Sequence, residues 1–325
     1  MKNKKALAIT LSLTLLMTAG CSSENSDKKE TTENTTTTTT TVSQENNQPP
    51  AEELDYMDRM KDIIVEIPPQ GYDKKRDGVE YNKFKSNIYY SSTAERDTNV
   101  NVLLPPNYSE DKEYPVLYVL HGYYDNEDWM ARSVVNLNVI YQNLLADGKA
   151  EEMIIVLPYI FCDKDMPYCT GMNEANNKAY DNFINDLTTD LMAFIESEFS
   201  VKKGRENTAI TGFSMGGRES FLIGFKRPDL FGYIGSACTA PGLAGAFGCP
   251  LKEEEMKFDE ANQPNVVFIS SSKIDSVVGT SPDGYRNIMT KNGVKYLDHV
   301  MQSTGHDHSS VKPHLYNFLQ MLFKE

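Results

Sequence analysis

Gly212-Phe213-Ser214-Met215-Gly216 sets a serine between two glycines, each two residues away, with Gly217 following. A serine hydroxyl attacks a carbonyl usefully only if it stands clear of the backbone and a base takes its proton. The G-x-S-x-G pattern answers the first need. The turn is so tight that side chains at the glycine positions would collide, and the serine is left on a strained backbone with its Oγ exposed. The second need points to the five histidines, His121, His299, His306, His308 and His314. On a strand-to-helix elbow of this kind the chain order is serine, acid, histidine, which removes His121 as the base. His299 falls inside a strand-like stretch, and His314 follows Pro313 at the expected start of the last helix. His306 and His308 occupy the loop just past that strand, where such a base belongs. For the acid, Asp275 lies shortly after strand-like residues 266–270. Asp283 is the fallback, and Asp298 is expected inside a strand.

A tetrahedral intermediate also needs donors for its oxyanion. The expected pair is main chain: the N–H of Met215, next after the serine, and that of Tyr123 in the loop after His121-Gly122. His121 itself is expected to shape that loop. Tyr124 and Trp129 are candidates to line the substrate site, with core packing an equal reading for Trp129. His306-Asp307-His308 invites a metal reading, but no third ligand stands at a recognisable spacing. No metal and no other cofactor is expected, because acyl transfer through a serine requires none. Besides Cys21 there are Cys162, Cys169, Cys238 and Cys249, which allow three pairings. Pairs 162–169 and 238–249 would each close a short loop, and four free thiols are the alternative. Residues 237–250, rich in Gly and Ala, are expected to wall the serine.

The elements that must hold these residues alternate in type. Residues 114–120 are a continuous apolar run ending at His121-Gly122, the pattern of a strand buried on both faces, and residues 153–157 repeat it. Residues 208–211 form a short strand into the serine turn, and 266–270 and 294–301 are strand-like. Residues 181–199, 218–226, 282–291 and 316–323 are expected helices, the first with apolar residues at three- and four-residue spacing. Residues 88–90 and 99–104 suggest an antiparallel hairpin at the start. Such alternation predicts an α/β fold, a mostly parallel central sheet with helices on both faces, of the α/β-hydrolase type.

The first fifty residues read differently. Three lysines in residues 1–5 precede an apolar stretch over 6–20, which at about 15 residues is short for a membrane span. Thr18-Ala19-Gly20-Cys21 resembles a bacterial lipobox, with Thr18 where an aliphatic residue is usual. The resemblance implies a signal peptide over 1–20, lipidation of Cys21 and a membrane-anchored, extracytoplasmic protein. Residues 21–53 are almost without apolar side chains and include seven consecutive threonines, 35–41. This segment is expected to be a disordered linker with a reach of roughly 30 Å. Residues 54–325 form the catalytic domain. The whole chain of 325 residues has 40% hydrophobic and 24% charged residues, a globular composition. Its formal charge of −14 repels phosphate backbones, so nucleic acid is not an expected partner.

Taken together the domain resembles the carbohydrate esterases of the feruloyl and acetylxylan type, close to the esterase D group, from about residue 72 to the C-terminus. Residues 114–122 resemble the family's oxyanion strand and loop, with Trp129 a few residues on. Residues 180–187 resemble the helix before its nucleophile, and residues 212–217 its elbow. Gly305-His306-Asp307 followed by residues 312–319 is the most specific piece. The resemblance implies that His306 is the base and Asp275 the acid, with His308 where other members often carry an aromatic residue. It further implies a substrate in which ferulate or acetate is esterified to a plant cell-wall polysaccharide. The family often has Trp near position 311; Val311 here tilts the expectation from feruloyl towards acetyl. Two rivals follow from the same residues: an acyltransferase or a hydrolase of other small esters such as siderophores, and a sugar-binding lipoprotein without catalysis.

Overall fold

Residues 116–120, 154–158, 208–212, 233–237 and 266–272 are each buried from end to end. A strand buried on both faces must lie inside a sheet covered on both sides. The computed structural model, which describes residues 55–324, builds that sheet from eight strands. These are β1 (Lys85–Ser91), β2 (Arg96–Leu103), β3 (Val116–Leu120), β4 (Ile154–Pro158), β5 (Thr208–Gly212), β6 (Tyr233–Ala237), β7 (Val266–Ser272) and β8 (Leu297–Met301). Their spatial order is β1-β2-β4-β3-β5-β6-β7-β8. The β1–β2 hairpin is antiparallel and β2 joins β4 antiparallel; every other pair is parallel. Because β3 to β8 run the same way, the loops that leave their C-terminal ends gather along one edge. Ser214, Asp275 and His306 all lie on such loops.

The helices are α1 (Tyr56–Met60), α2 (Leu137–Ala146), α3 (Glu174–Asp181), α4 (Phe183–Asp186), α5 (Met192–Glu198), α6 (Met215–Lys226), α7 (Ser281–Lys291) and α8 (His308–Gln320). Neighbouring residues of a strand face opposite ways. On β6, Ile234 meets Gly224 of α6, whereas a side chain at Gly235 would strike Phe318 of α8. So α6 covers one face of the sheet and α8 the other. His314 of α8 is buried between Thr211 and Ser270, at 2.7 Å from each hydroxyl, and ties α8 to β5 and β7. Burial pushes its imidazole down to about 3.

Several elements depart from expectation. The last helix begins at His308 rather than near 316, because Asp307 caps it by accepting the Ser309 N–H at 2.7 Å; Pro313 then sits inside the helix. The expected helix over 181–199 starts earlier, at Glu174, and carries a π turn at Leu187–Leu191 between α4 and α5. Strand β6 and helices α1 and α2 had no forecast. The expected signal peptide, Cys21 and the linker lie outside the described residues.

Candidate active site

The turn at the end of β5 places Ser214 at φ +56°, ψ −115°, a strained conformation for a residue with a side chain. Its neighbours explain why only glycine is tolerated on either side. A Cβ on Gly212 would lie 2.3 Å from the Gly216 carbonyl oxygen, and one on Gly216 would lie 2.2 Å from that of Leu120. The serine's own main chain is held on both ends. Its N–H donates to the Ala237 oxygen at 2.9 Å, and its carbonyl accepts from Arg218 and Ala240.

From this elbow a hydrogen-bonded line runs inward. The Ser214 Oγ lies 2.8 Å from His306 Nε2, and His306 Nδ1 lies 2.7 Å from Asp275 Oδ2. Asp275 is buried, and its other oxygen accepts the Val277 and Val278 amides at 3.0 and 3.3 Å. With Nδ1–H donated to the carboxylate, Nε2 is left as an acceptor facing the serine. The His306 loop is anchored from beneath: Ser310 donates to the Gly305 carbonyl at 2.5 Å, and Ser272 to that of Thr304 at 2.6 Å. The ring of His306 rests against Phe213, with centroids 4.7 Å apart, and Phe213 stacks on Trp129 at 5.3 Å. Trp129 therefore backs the site through Phe213 and is half-buried.

Met215 opens α6, so its N–H has no partner within the helix. A Cβ on Gly122 would come 3.5 Å from the Ser214 Cβ, which puts the Gly122-Tyr123 turn beside the serine. The Tyr123 hydroxyl donates to Asn177, and its ring packs on Tyr180. Tyr124 stands on the rim at φ +63° with 58% of its surface exposed. Residues 237–250 do adjoin the serine through the Ala240 N–H, and Tyr285 clamps that loop at Ala240 and Leu243.

The remaining candidates lie elsewhere. Asp283 and Asp298 both pair with Arg286. His121 is buried, donating Nδ1–H to the Gly122 carbonyl at 2.8 Å and accepting the Ile160 N–H at Nε2, and burial pushes it down to about 4. His299 donates to the Glu66 carbonyl. His308 is the first residue of α8. The Cys238 sulfur, an Asp275 oxygen and a His306 nitrogen lie within 4.8 Å of one another, a donor set a metal could use. The carboxylate and imidazole nonetheless already meet directly at 2.7 Å, which leaves no room for an ion between them. The four described cysteines are free thiols. Val311 is 1% exposed on α8, a core residue, so it gives no ground for preferring one acyl group.

Several residues escaped the sequence reading. Phe213 was readable only as the variable position of the serine motif. Arg218, one turn after the serine, is almost wholly buried and bonds Asp181, Glu219 and the Gly242 carbonyl, so it ties α6 to the end of α3 and to the loop after β6. Burial pushes Glu219 up to about 8 against the pull of Arg218. A buried guanidinium carries no local sequence signal that separates it from a surface arginine.

Against known proteins, the family model for Esterase matches residues 91–308. The chain is 28% identical over 268 residues to an endo-1,4-beta-xylanase/feruloyl esterase of Xylanibacter ruminicola. That match takes in 80% of this chain and 34% of the relative, so the chain spans about a third of that protein's length. It is 39% identical to a CE1 ferulic acid esterase from Anaeromyces mucronatus whose structure holds ferulic acid, with a TM-score of 0.76 over 80% of this chain and 97% of that one. The feruloyl esterase module from Clostridium thermocellum, complexed with sinapinate, shares the fold at 18% identity, with a TM-score of 0.63 over 81% and 95%.

Proposed function

Since the chain belongs to the Esterase family, on the side of the feruloyl-type carbohydrate esterases, and is a carboxylic ester hydrolase, we propose that it cleaves ferulate esters of xylan with Ser214 as nucleophile, His306 as base and Asp275 as its orienter. The observation that carries this reading is the unbroken line Asp275–His306–Ser214 at 2.7 and 2.8 Å, ending on a strained elbow. Ser214 Oγ attacks the ester carbonyl carbon while its proton passes to His306 Nε2. The oxyanion is met by the N–H groups of Met215 and Tyr123, each such donor being worth about 2.7–4 kcal/mol in the transition state. Collapse breaks the bond to the sugar oxygen, which leaves with the proton from Nε2. Water then attacks the acyl-serine by the reverse path, giving its proton to His306, and the free acid departs. Throughout, Asp275 holds the Nδ1 proton and stabilises the imidazolium.

The choice of an aromatic acyl group is supported by the apolar rim. Tyr124, in the loop after β3, and Ile274 and Val277, on either side of Asp275 in the chain, are exposed, a surface an acetyl group has no use for. The relatives' names point the same way. We place the enzyme outside the cytoplasm, tethered by lipid on Cys21, on the strength of the residues 1–21 pattern alone. A Cys21→Ser chain expressed in a lipoprotein-processing host should then partition into water rather than detergent; unchanged partitioning would remove the anchor.

The test of the reaction is hydrolysis of methyl ferulate and p-nitrophenyl acetate by residues 54–325 and by the Ser214→Ala variant. Cleavage by the wild type alone supports the serine mechanism, and a kcat/KM ratio favouring ferulate supports the aromatic acyl site. A ratio favouring acetate would turn the reading to acetylxylan. Inertness towards both esters, with binding of xylan oligosaccharides intact, would favour the sugar-binding rival.

A further inference from the structure

Cys238 is the first residue past β6, and its backbone stands at φ +47°. Glycine takes that conformation freely; a residue with a side chain stays there only when its surroundings hold it. Here the Cys238 N–H donates to the Ser270 carbonyl at 2.8 Å, and the side chain is wholly buried. The sulfur sits within 4.8 Å of both the Asp275 carboxylate and the His306 imidazole. The Asp275 side chain, the Ser272 main chain and the Ser310 hydroxyl are its polar neighbours. Burial, and then the charge of Asp275, push the thiol up to about 12, so it keeps its proton at any pH where an esterase works. A buried proton on sulfur beside a carboxylate oxygen has one sensible use, which is donation.

We propose that Cys238 is a positioning residue for the hydrolysis: its S–H donates to Asp275 and, with the Val277 and Val278 amides, fixes the carboxylate so that Oδ2 meets His306. This rests on the reading of Asp275–His306–Ser214 as the reacting line. The groups that face Asp275 come from three places: His306 from the loop after β8, the two amides from its own loop, and Cys238 from the end of β6. A donor on the carboxylate draws negative charge away from Oδ2. Without it the imidazolium is better stabilised, so His306 holds its proton to higher pH, while the carboxylate turns more freely and the line loses its aim.

Cys238→Ala and Cys238→Ser both keep a Cβ and therefore the same backbone demand; only serine restores a donor. With p-nitrophenyl acetate, Cys238→Ala should lower kcat roughly 5–20-fold with KM changed less than about twofold. Its acid limb of kcat/KM should move up by about half a pH unit. Cys238→Ser should return the limb to the wild-type position and recover most of kcat. The far-downfield proton resonance of the Asp275–His306 bond should shift in the alanine variant and return in the serine one. A limb unmoved in Cys238→Ala, or a serine variant as impaired as the alanine one, would reduce the thiol to packing and overturn the proposal. If the alanine variant fails to fold, the serine variant decides, since an upward shift in its limb contradicts the proposal. Ser214→Ala run alongside separates the two readings. Activity surviving there sinks the reacting line itself, whereas a dead Ser214→Ala with an indifferent Cys238→Ala sinks only the role of the thiol.

Discussion

His306 has two ring nitrogens and both are engaged, one by Asp275 and one by Ser214. That double engagement gives Asp275 a role that its charge alone does not describe. An amide in its place can donate to Nδ1, which would force the ring proton onto Nε2 and leave nothing to accept from the serine. Asp275→Asn is therefore expected to keep its fold and lose about 10³–10⁴ in kcat, as tautomer errors do elsewhere. Steady-state hydrolysis with a circular dichroism check measures it; a variant within tenfold of wild type would show that the acid lies elsewhere.

At the scale of elements, the elbow depends on backbones that nearly touch. Gly216→Ala puts a Cβ 2.2 Å from the Leu120 oxygen and 2.5 Å from that of His121, both main chain at the end of β3. The end of β3 or the start of α6 must then move, and a loss of stability above about 3 kcal/mol is expected by denaturant titration. Gly284, exposed in α7, has no atom within 4 Å of the place a Cβ would take, so Gly284→Ala should instead stabilise by about 0.5–1 kcal/mol. Equal effects of the two substitutions would contradict this account of the elbow. These elements also show what a sequence can disclose. Buried parallel strands such as β3, and β7 over residues 266–269, are unbroken apolar runs, and the residues that meet at the site sit just past them, so their positions were readable. Strand β6 was not, because Gly235 and Ser236 dilute its pattern. They are small because Thr211 and Phe318 crowd Gly235, while Ser236 bonds the Gly217 carbonyl. The early start of α8 was hidden by Pro313, and the long-range partners of Arg218 and Cys238 have no local signature at all.

Across the whole molecule, burial lowers three imidazoles, those of His121, His299 and His314. His121 and His314 are pushed by burial down to about 4 and about 3, whereas in the unfolded chain each takes a proton near its usual value of about 6.5. Below that pH the unfolded state binds more protons than the folded one, so stability is present above it and is lost as pH falls towards 4. Glu219, pushed up to about 8, works in the opposite sense: its contribution is lost as pH rises through 8. The melting temperature should accordingly peak between these limits, and a profile flat from pH 4.5 to 9 would contradict the burial that holds the core under the site together. The central claim concerns a covalent bond, and intact-mass analysis of enzyme quenched during turnover of methyl ferulate tests it most directly. The account predicts a feruloyl increment on the wild-type protein, mapped by digestion to the peptide that carries Ser214 and absent from Ser214→Ala; ferulate released at an undiminished rate by Ser214→Ala, with no adduct on either protein, would contradict it.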